Sequence, residues 1–399
     1  MNWLEALEIA LLLAAWPVDL AGLYLLLLAL ASRRGRPTTA ARRLRFDLVV
    51  PAHDEERGVA GTVASLLAVD WPAERRRVVV VADNCADATA ERAREAGATV
   101  LVRADPARRG KGYALAHAFA WSLAEGVADA VVVVDADARV TPNLLAAFAA
   151  RLEAGADAVQ ADDAVGNPEA GWRPALMALA FVLFNTLRSL GRDRLGCSVG
   201  LRGTGMCLSS RVLREVPHEA VSEVEDLEYG LRLGEAGHRV RFAGEARVLS
   251  DVVVGASASA IQRRRWEGGR RRLARRHGWR LLRSGLAAGD RVRVDLGLDL
   301  LVPPLATLGA LAALGAAAAW AVAGAGGGWA AAVAWSLALA ALAAYVARGL
   351  WLSGLGLRGV VALLHAPIYL LWKVALRLRG SGAARGEWIR TPRERTEDR

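Results

Sequence analysis

Residues 9–32 read IALLLAAWPVDLAGLYLLLLALAS, and this stretch decides much of what the chain can be. At ~1.5 Å per residue it crosses the ~30 Å hydrocarbon core of a bilayer. The segment before it, MNWLEALE, is acidic, and no clear small-residue cleavage site follows. That argues against a removable signal peptide. Arg33, Arg34, Arg36, Arg42, Arg43 and Arg45 come next. Arginine on that flank predicts an outside N-terminus and puts the chain after Arg33 in the cytoplasm. Asp19, close to Pro17, is the one charge inside the span and is expected to face protein or water.

A second apolar block starts near Leu300. Residues 300–323 form one candidate span, Ala325-Gly326-Gly327-Gly328 a turn, and residues 329–346 the return. Arg291 and Arg293 before the pair, with Arg348 and Arg358 after it, predict an inside–outside–inside hairpin. Residues 359–376 are apolar too, but hold His365, Pro367 and Lys373. If they spanned, the arginine-rich tail would lie outside, so an interfacial or re-entrant helix is expected.

A 54% hydrophobic content and a net charge of +10 are compatible when apolar and basic stretches are segregated in this way. Lys111 and Lys373 are the only lysines. So one-sided a use of arginine reflects codon bias more than a particular partner. Cys85, Cys197 and Cys207 form neither a disulfide framework nor a CxxC site, and the histidines are scattered.

Residues 46–250 alternate short apolar runs with helical stretches. FDLVVPAH (46–53), VVVVAD (78–83), ATVLVR (98–103) and AVVVVDAD (130–137) read as strands. Residues 61–69, 86–97, 112–126 and 142–154 between and after them read as helices. Continuous apolar strands alternating with amphipathic helices predict a mostly parallel sheet covered on both faces. In such sheets ligands sit beyond the carboxyl ends of the strands. Three of those ends are polar: His53-Asp54-Glu55-Glu56, Asp83-Asn84 and Asp135-Ala136-Asp137. No GxGxxG follows the first strand and no GxxxxGK[ST] occurs, which excludes an ordinary dinucleotide or P-loop pocket.

Asp135-Ala136-Asp137 is the sharpest of these signals. In an extended segment residues i and i+2 point the same way, so both carboxylates can face one site. Two hard oxygen ligands suit Mg2+ or Mn2+, with other positions left for water and phosphate. A single strand-end acid is more often just a polar loop residue. Ser222-Glu223-Val224-Glu225-Asp226 opens the helical stretch LEYGLRLGEAG. There Ser222 is expected to cap the helix, and the acids suit its dipole. HRVRFA (238–243) reads as a strand returning to the sheet. AIQRRRWEGGRRRLARRHGWR (260–280) then packs nine arginines and two tryptophans into 21 positions. On a helix Gln262, Arg265 and Trp266 share one face, whereas Arg263, Arg264 and Arg270 point elsewhere. Arg270 to Arg280 is expected to lie along lipid headgroups.

The order PAHDEE, ADNCAD, DAD, EVED, QRRRW, with apolar segments on both sides, resembles the membrane-integrated family 2 glycosyltransferases. That branch includes cellulose, chitin, hyaluronan and poly-N-acetylglucosamine synthases, and the resemblance runs from about Asp47 to Trp266. It implies an α/β GT-A domain flanked by N- and C-terminal transmembrane helices. By the same resemblance Pro51, Ala52, His53 and Glu55 line the nucleotide pocket, and Asp54 stands where Asn is common. Asp83 meets the uracil of a UDP-sugar donor and Lys111 lies near the donor phosphates. Asp135 and Asp137 hold the donor and a Mg2+ or Mn2+ ion. Asp226, preceded by Glu225, is the general base. Gln262, Arg265 and Trp266 meet the diphosphate and the acceptor end, and Gly203, Thr204 and Gly205 form an acceptor-facing loop. Val224 departs from the common Thr. EWIRTPRER (387–395) resembles the endings of some bacterial members and has no chemistry assigned to it.

The expected organisation is a membrane helix and basic linker (1–45), the GT-A domain (46–255), and basic interfacial helices with QRRRW (256–298). The membrane hairpin with its third helix (299–376) and a basic cytoplasmic tail (377–399) complete it. The expected activity is inverting transfer from a UDP-sugar, of the glucose or N-acetylglucosamine type, to a growing β-linked glycan. It takes place at the cytoplasmic face of a bacterial inner membrane. A second reading is transfer of one sugar to a lipid carrier or glycolipid, which the small membrane part favours. A third is a catalytically silent scaffold that binds an anionic surface. No nucleic-acid partner is expected, since no recognised fold or stacking aromatics accompany the arginines.

Overall fold

The computed structural model describes residues 2–35, 39–252 and 268–367. Helix α1 (Trp3–Ala31) opens on a capping box between Asn2 and Glu5 and runs on through Pro17. Alternation follows: β1 (Phe46–Ala52), α2 (Val59–Leu67), β2 (Arg76–Asp83), α3 (Thr89–Glu95), β3 (Thr99–Arg103), α4 (Lys111–Glu125) and β4 (Ala130–Val133). Next come β5 (Ala138–Val140), α5 (Leu144–Glu153), β6 (Ala158–Val165) and a long helix α6 (Trp172–Arg194), which contains a π-helical turn at Val182–Leu187. β7 (Met206–Ser209), α7 (Ser210–Glu215), α8 (Glu225–Glu235) and β8 (Val240–Ser250) finish the sheet. Residues 268–278 lead helically into α9 (Trp279–Ala288), followed by α10 (Arg291–Leu301), α11 (Leu305–Gly324), α12 (Ala330–Ser353) and α13 (Gly356–Leu364).

The eight strands form one sheet in the order β3-β2-β1-β4-β7-β6-β8-β5. β3, β2, β1 and β4 are parallel neighbours, as are β6 and β8. β7 runs antiparallel to β4 and β6, and β5 antiparallel to β8. The mixed, mostly parallel sheet of a GT-A fold is therefore present. Burial on both faces explains its apolar strands. Leu48, Val50, Val78, Val80 and Val132 pack under α2, α3 and α5, while Val49, Val79, Val81, Val131 and Val133 pack under α4, α6 and α8. Strand β1 thus looks continuous in sequence although it alternates between two cores.

Among the described residues four helices, α1, α6, α11 and α12, are long and apolar enough to cross a membrane. In α1 the side chains of Leu13, Trp16, Leu20, Leu23, Leu27 and Leu30 are exposed, whereas Leu25 and Leu28 are buried. Glu8, near its start, accepts hydrogen bonds from Gly328 N (2.9 Å) and Ala330 N (3.2 Å) at the α11–α12 turn. At its other end Ser32 Oγ accepts from Arg348 Nε (3.0 Å), and Arg34 Nη2 donates to the Leu352 carbonyl (3.0 Å). The hairpin turn and the chain start thus share one end of the bundle. The arginine-flanked ends share the other, beside the sheet domain.

Some expectations need correcting. The span expected from Leu300 begins at Leu305, because Pro303-Pro304 separates α10 from α11. Ser222 does not cap α8; Val224 holds that position without a side-chain hydrogen bond. α13 has nine residues, and Trp172 stacks on His365 just after it (4.9 Å between rings). Positions 368–376 of the expected third membrane stretch lie outside the described residues, as does the tail.

α6 was not anticipated. Its Asn185, Arg188 and Arg192 look like a solvated face in sequence, yet all three are buried. Gly191 packs on the backbone of Leu28, and Gly349 lets α12 close on Leu183. Arg270, expected to point toward headgroups, turns inward. Its Nη2 reaches Asp299 Oδ2 (3.2 Å), which already meets Arg192 Nη1 (3.5 Å), and Arg188 Nη1 donates to Oδ1 (3.1 Å). Those guanidinium groups hold the Asp299 carboxyl well below its usual range, outweighing the upward push of burial. Removing one partner of a buried ion network leaves an uncompensated charge. Asp299→Asn is therefore expected to cost about 3–5 kcal/mol, read from the denaturation midpoint in detergent. A cost near the ~0–1 kcal/mol of a surface pair contradicts this account.

Candidate active site

Parallel pairing of β1, β2 and β4 brings their carboxyl ends to one rim, with Ala52 opposite Ala82 and Val49 opposite Val133. Pro51 and Ala52 end β1. His53 Nδ1 then lies 2.7 Å from the Asp83 carbonyl oxygen, and Glu55 N donates to Thr89 Oγ1 (2.7 Å). Asp54 and Asn84, on adjacent strand ends, both have left-handed backbones (φ +54° and +52°). Asn and Asp tolerate that conformation best, which explains why a short polar residue stands at position 54. Asp83 is buried and accepts from Arg103 Nη1 (2.6 Å) and Asn84 Nδ2 (3.1 Å). Arg103, at the end of β3, belongs to no motif in the sequence.

Asp135-Ala136-Asp137 does not continue β4. The strand stops at Val133, and Ala138 N donates to the Asp135 carbonyl (3.1 Å), closing a turn. The shared orientation expected of an extended segment therefore does not apply. The turn instead places Asp135 partly buried and Asp137 exposed at the rim. Asp135 N donates to Thr204 Oγ1 (3.1 Å), and Lys111 Nζ binds both Asp135 Oδ1 and the Gly203 carbonyl (2.7 Å to the latter).

Lys111 reaches this point because of its two glycine neighbours. Gly110 precedes α4 with φ +121°, and a Cβ at Gly112 would overlap the Ala220 carbonyl. The start of α4 is thus seated on the segment that leads into Glu225 and Asp226, in the first turn of α8. A Cβ at Gly203 (φ +80°) would lie 3.4 Å from Asp226 Oδ2 and 3.5 Å from Lys111 Nζ. So Lys111, Asp135, Gly203 and Asp226 form one cluster. Gln160, fully buried in β6, holds the loop: Nε2 donates to the Thr204 carbonyl (2.8 Å) and Oε1 accepts from Arg202 N (3.0 Å). Gly205 (φ +66°) abuts Val248 and Ala161. In sequence Gln160 is a lone amide inside an apolar run and carries no signal of its own.

The electrostatics follow from burial. Burial pulls the Lys111 ammonium down, but Asp135, Glu225 and Asp226 outweigh it and hold its pKa at about 12. Burial pushes the Asp226 and Glu225 carboxyls up, and repulsion between the two raises Glu225 further. Asp163, in β6, is also held well above the usual range by burial and by Asp135 and Asp162.

Asp135 and Asp137 carry hard carboxylate oxygens of the kind a Mg2+ or Mn2+ ion takes beside water and phosphate, with Asp135 Oδ1 also held by Lys111 Nζ. Among the described residues Asp54, Cys85 and Asp87 form another acidic group, with ligand atoms all within 4.8 Å of one another. It fits less well. Asp54 Oδ1 accepts from Ala86 N and Asp87 Oδ1 from Thr89 N, and burial raises the Cys85 thiol pKa. A protonated thiol is a poor ligand for a hard cation. Gln262, Arg265 and Trp266 lie outside the described residues.

Residues 43–269 match the profile of the family described as "Glycosyltransferase like family 2". No curated protein sequence matches the chain. Among solved structures, a mannosyltransferase, PcManGT, from Pyrobaculum calidifontis in complex with GDP-Man and Mn2+ is similar. It has 19% identity and a TM-score of 0.51, over 87% of this chain and 99% of that one. Glucosyl-3-phosphoglycerate synthase from Mycobacterium tuberculosis, in complex with Mn2+, UDP and phosphoglyceric acid, shares 21% identity. Its TM-score is 0.38, over 56% of this chain and 77% of that one.

Proposed function

The chain belongs to the glycosyltransferase-like family 2, and from that premise we propose that it moves a sugar from a UDP-sugar onto an acceptor hydroxyl at the cytoplasmic membrane face, inverting the anomeric centre. The observation that carries this reading is the cluster of Lys111, Asp135, Gly203 and Asp226 at the carboxyl rim of the sheet. His53, Glu55 and Asp83 form the nucleotide side of that rim. Asp135 and Asp137 would hold a divalent cation, which would supply neutralising charge to the donor diphosphate. Lys111 adds a fixed cation beside it. Asp226 takes the proton of the attacking hydroxyl. Attack from the face opposite the leaving diphosphate converts an α-linked donor into a β-linked product.

A glucose or N-acetylglucosamine donor and a growing glycan acceptor remain the first reading of substrate. The second, one sugar transferred to a lipid-linked acceptor, is favoured by α6, which packs against α1 and α12 and whose Phe184 ring lies under Arg202, next to Gly203. Native membranes supplied with radiolabelled UDP-glucose, UDP-N-acetylglucosamine, UDP-galactose and GDP-mannose test both. Label entering a polymer supports the first, and label in a single solvent-extractable product the second. No transfer from any donor overturns the function.

The carboxyl environment sets a pH dependence. Asp226 accepts a proton only as the carboxylate, and burial raises its pKa. Activity is therefore expected to fall, on acidification, at a pH above the ordinary aspartate value of 3.8. The kcat/KM profile reads this directly; an acid limb at or below that value contradicts the assignment.

A further inference from the structure

Where α6, α10 and the loop before β7 meet, four arginines face two aspartates. Asp299 meets Arg188, Arg192 and Arg270. Asp295 accepts from Arg192 Nε (2.7 Å) and Tyr24 Oη (2.9 Å). Arg202 is the cation left over. Among the described residues no carboxylate lies within ion-pair distance of it, and its Nη2 donates only to the Val199 carbonyl (3.2 Å). Its Nε, like Arg192 Nη2, is buried without an acceptor. Three guanidinium groups crowd the Phe184 ring: Arg202 at 4.5 Å, Arg188 at 4.9 Å and Arg270 at 5.3 Å from its centre.

Each cation gains from the ring, but three together repel one another. Burial lowers the Arg202 pKa to about 10, with Arg192 and Arg270 pushing the same way against Asp299 and Asp226. Arg202 also acts electrostatically on Asp163, without an ion pair between them. Asn185 Nδ2 donates to its Oδ2 (3.2 Å), and burial favours its neutral form. The corner is still reachable, because Phe184, Arg202 and Arg270 are only partly buried. Arg202 directly precedes Gly203, which lies between Lys111 and Asp226. On the other side α6 packs against α1 and α12.

We propose that Arg202, Arg270 and Phe184 form a subsite for a phosphate group carried by the acceptor. The unpaired Arg202 guanidinium beside Arg270 matches a phosphate monoester, which carries about −1.5 to −2 at neutral pH. Planar guanidinium groups recognise such oxygens in paired hydrogen bonds. The phosphate arrives either on a lipid or on a soluble acceptor, and the adjoining apolar helices favour the lipid. The proposal rests on the sugar-transfer reading above and names the acceptor class for it.

The test uses the full-length chain in maltoside detergent, titrated separately with dodecyl phosphate, dodecanol, glycerol 3-phosphate, and UDP with Mn2+. Dodecyl phosphate is expected to bind at least about tenfold more tightly than dodecanol. Arg202→Gln should erase that margin while UDP affinity stays within about twofold. Arg202→Lys keeps the charge but loses the planar fork, so its affinity should fall between the two; it serves alone if R202Q does not fold. Glycerol 3-phosphate binding as tightly as dodecyl phosphate supports the phosphate subsite and assigns a soluble source. Dodecyl phosphate binding no better than dodecanol, or binding unchanged in the variants, overturns the subsite. Weakened UDP binding in a variant with an unchanged melting midpoint also overturns it, reassigning Arg202 to the donor. A wild type that binds dodecyl phosphate but not UDP separates failure of the donor reading from failure of this one.

Discussion

Asp226→Asn is expected to lower turnover about 10²–10⁴-fold, the usual contribution of a positioned general base. Asparagine keeps the size and hydrogen-bonding reach of the side chain but cannot accept a proton. Asp226 sits in the first turn of α8, and the α4 start and the Gly203 loop close around it. The substitution leaves that packing in place, so UDP affinity should change little. Loss should fall on kcat and kcat/KM together, the pattern of an interaction made only in the transition state. The buried carboxylate is also costly to keep charged, since burial raises its pKa. The neutral amide is expected to leave the fold as stable as before or more so, which separates lost chemistry from lost structure. Unchanged turnover removes Asp226 from the proton transfer.

Removal of the divalent cation, or of the exposed carboxylate that would hold it, should have a comparable effect. EDTA and Asp137→Ala are each expected to cost at least ~10²-fold in turnover, since diphosphate departure then lacks its main charge stabilisation. Asp137 is the cleaner target. Asp135 is also bonded to Lys111 and, through its backbone, to Thr204, so replacing it disturbs the Gly203 loop as well. Added Mn2+ should restore the chelated wild type and not the Asp137→Ala protein. Full activity in EDTA excludes the metal role of both aspartates.

Most of the architecture was legible because strands buried on both faces and membrane-length helices leave strong apolar patterns. The first four parallel strands, the rim they share and the hairpin of α11 and α12 follow from such runs. β6 escaped notice because Gln160, Asp162 and Asp163 interrupt it, and all three are held by tertiary partners. α6 escaped for the same reason, its buried arginines being neutralised by Asp295 and Asp299 about a hundred residues away. The spacing of Asp135 and Asp137 suggests a strand end, whereas a turn presents them. Arg103, Gln160 and Arg202 carry no local motif. Their importance comes from what the fold sets beside them: Asp83, the glycine loop and Phe184.

The central claim is that the carboxyl rim binds a nucleotide diphosphate through a metal held by Asp135 and Asp137. Calorimetric titration of UDP into the detergent-solubilised chain tests it without knowledge of the acceptor. The account predicts binding in Mn2+ that weakens at least about tenfold in EDTA and in Asp137→Ala, a loss of ~1.4 kcal/mol or more. UDP binding that is equally tight with and without metal, or absent in Mn2+, contradicts it.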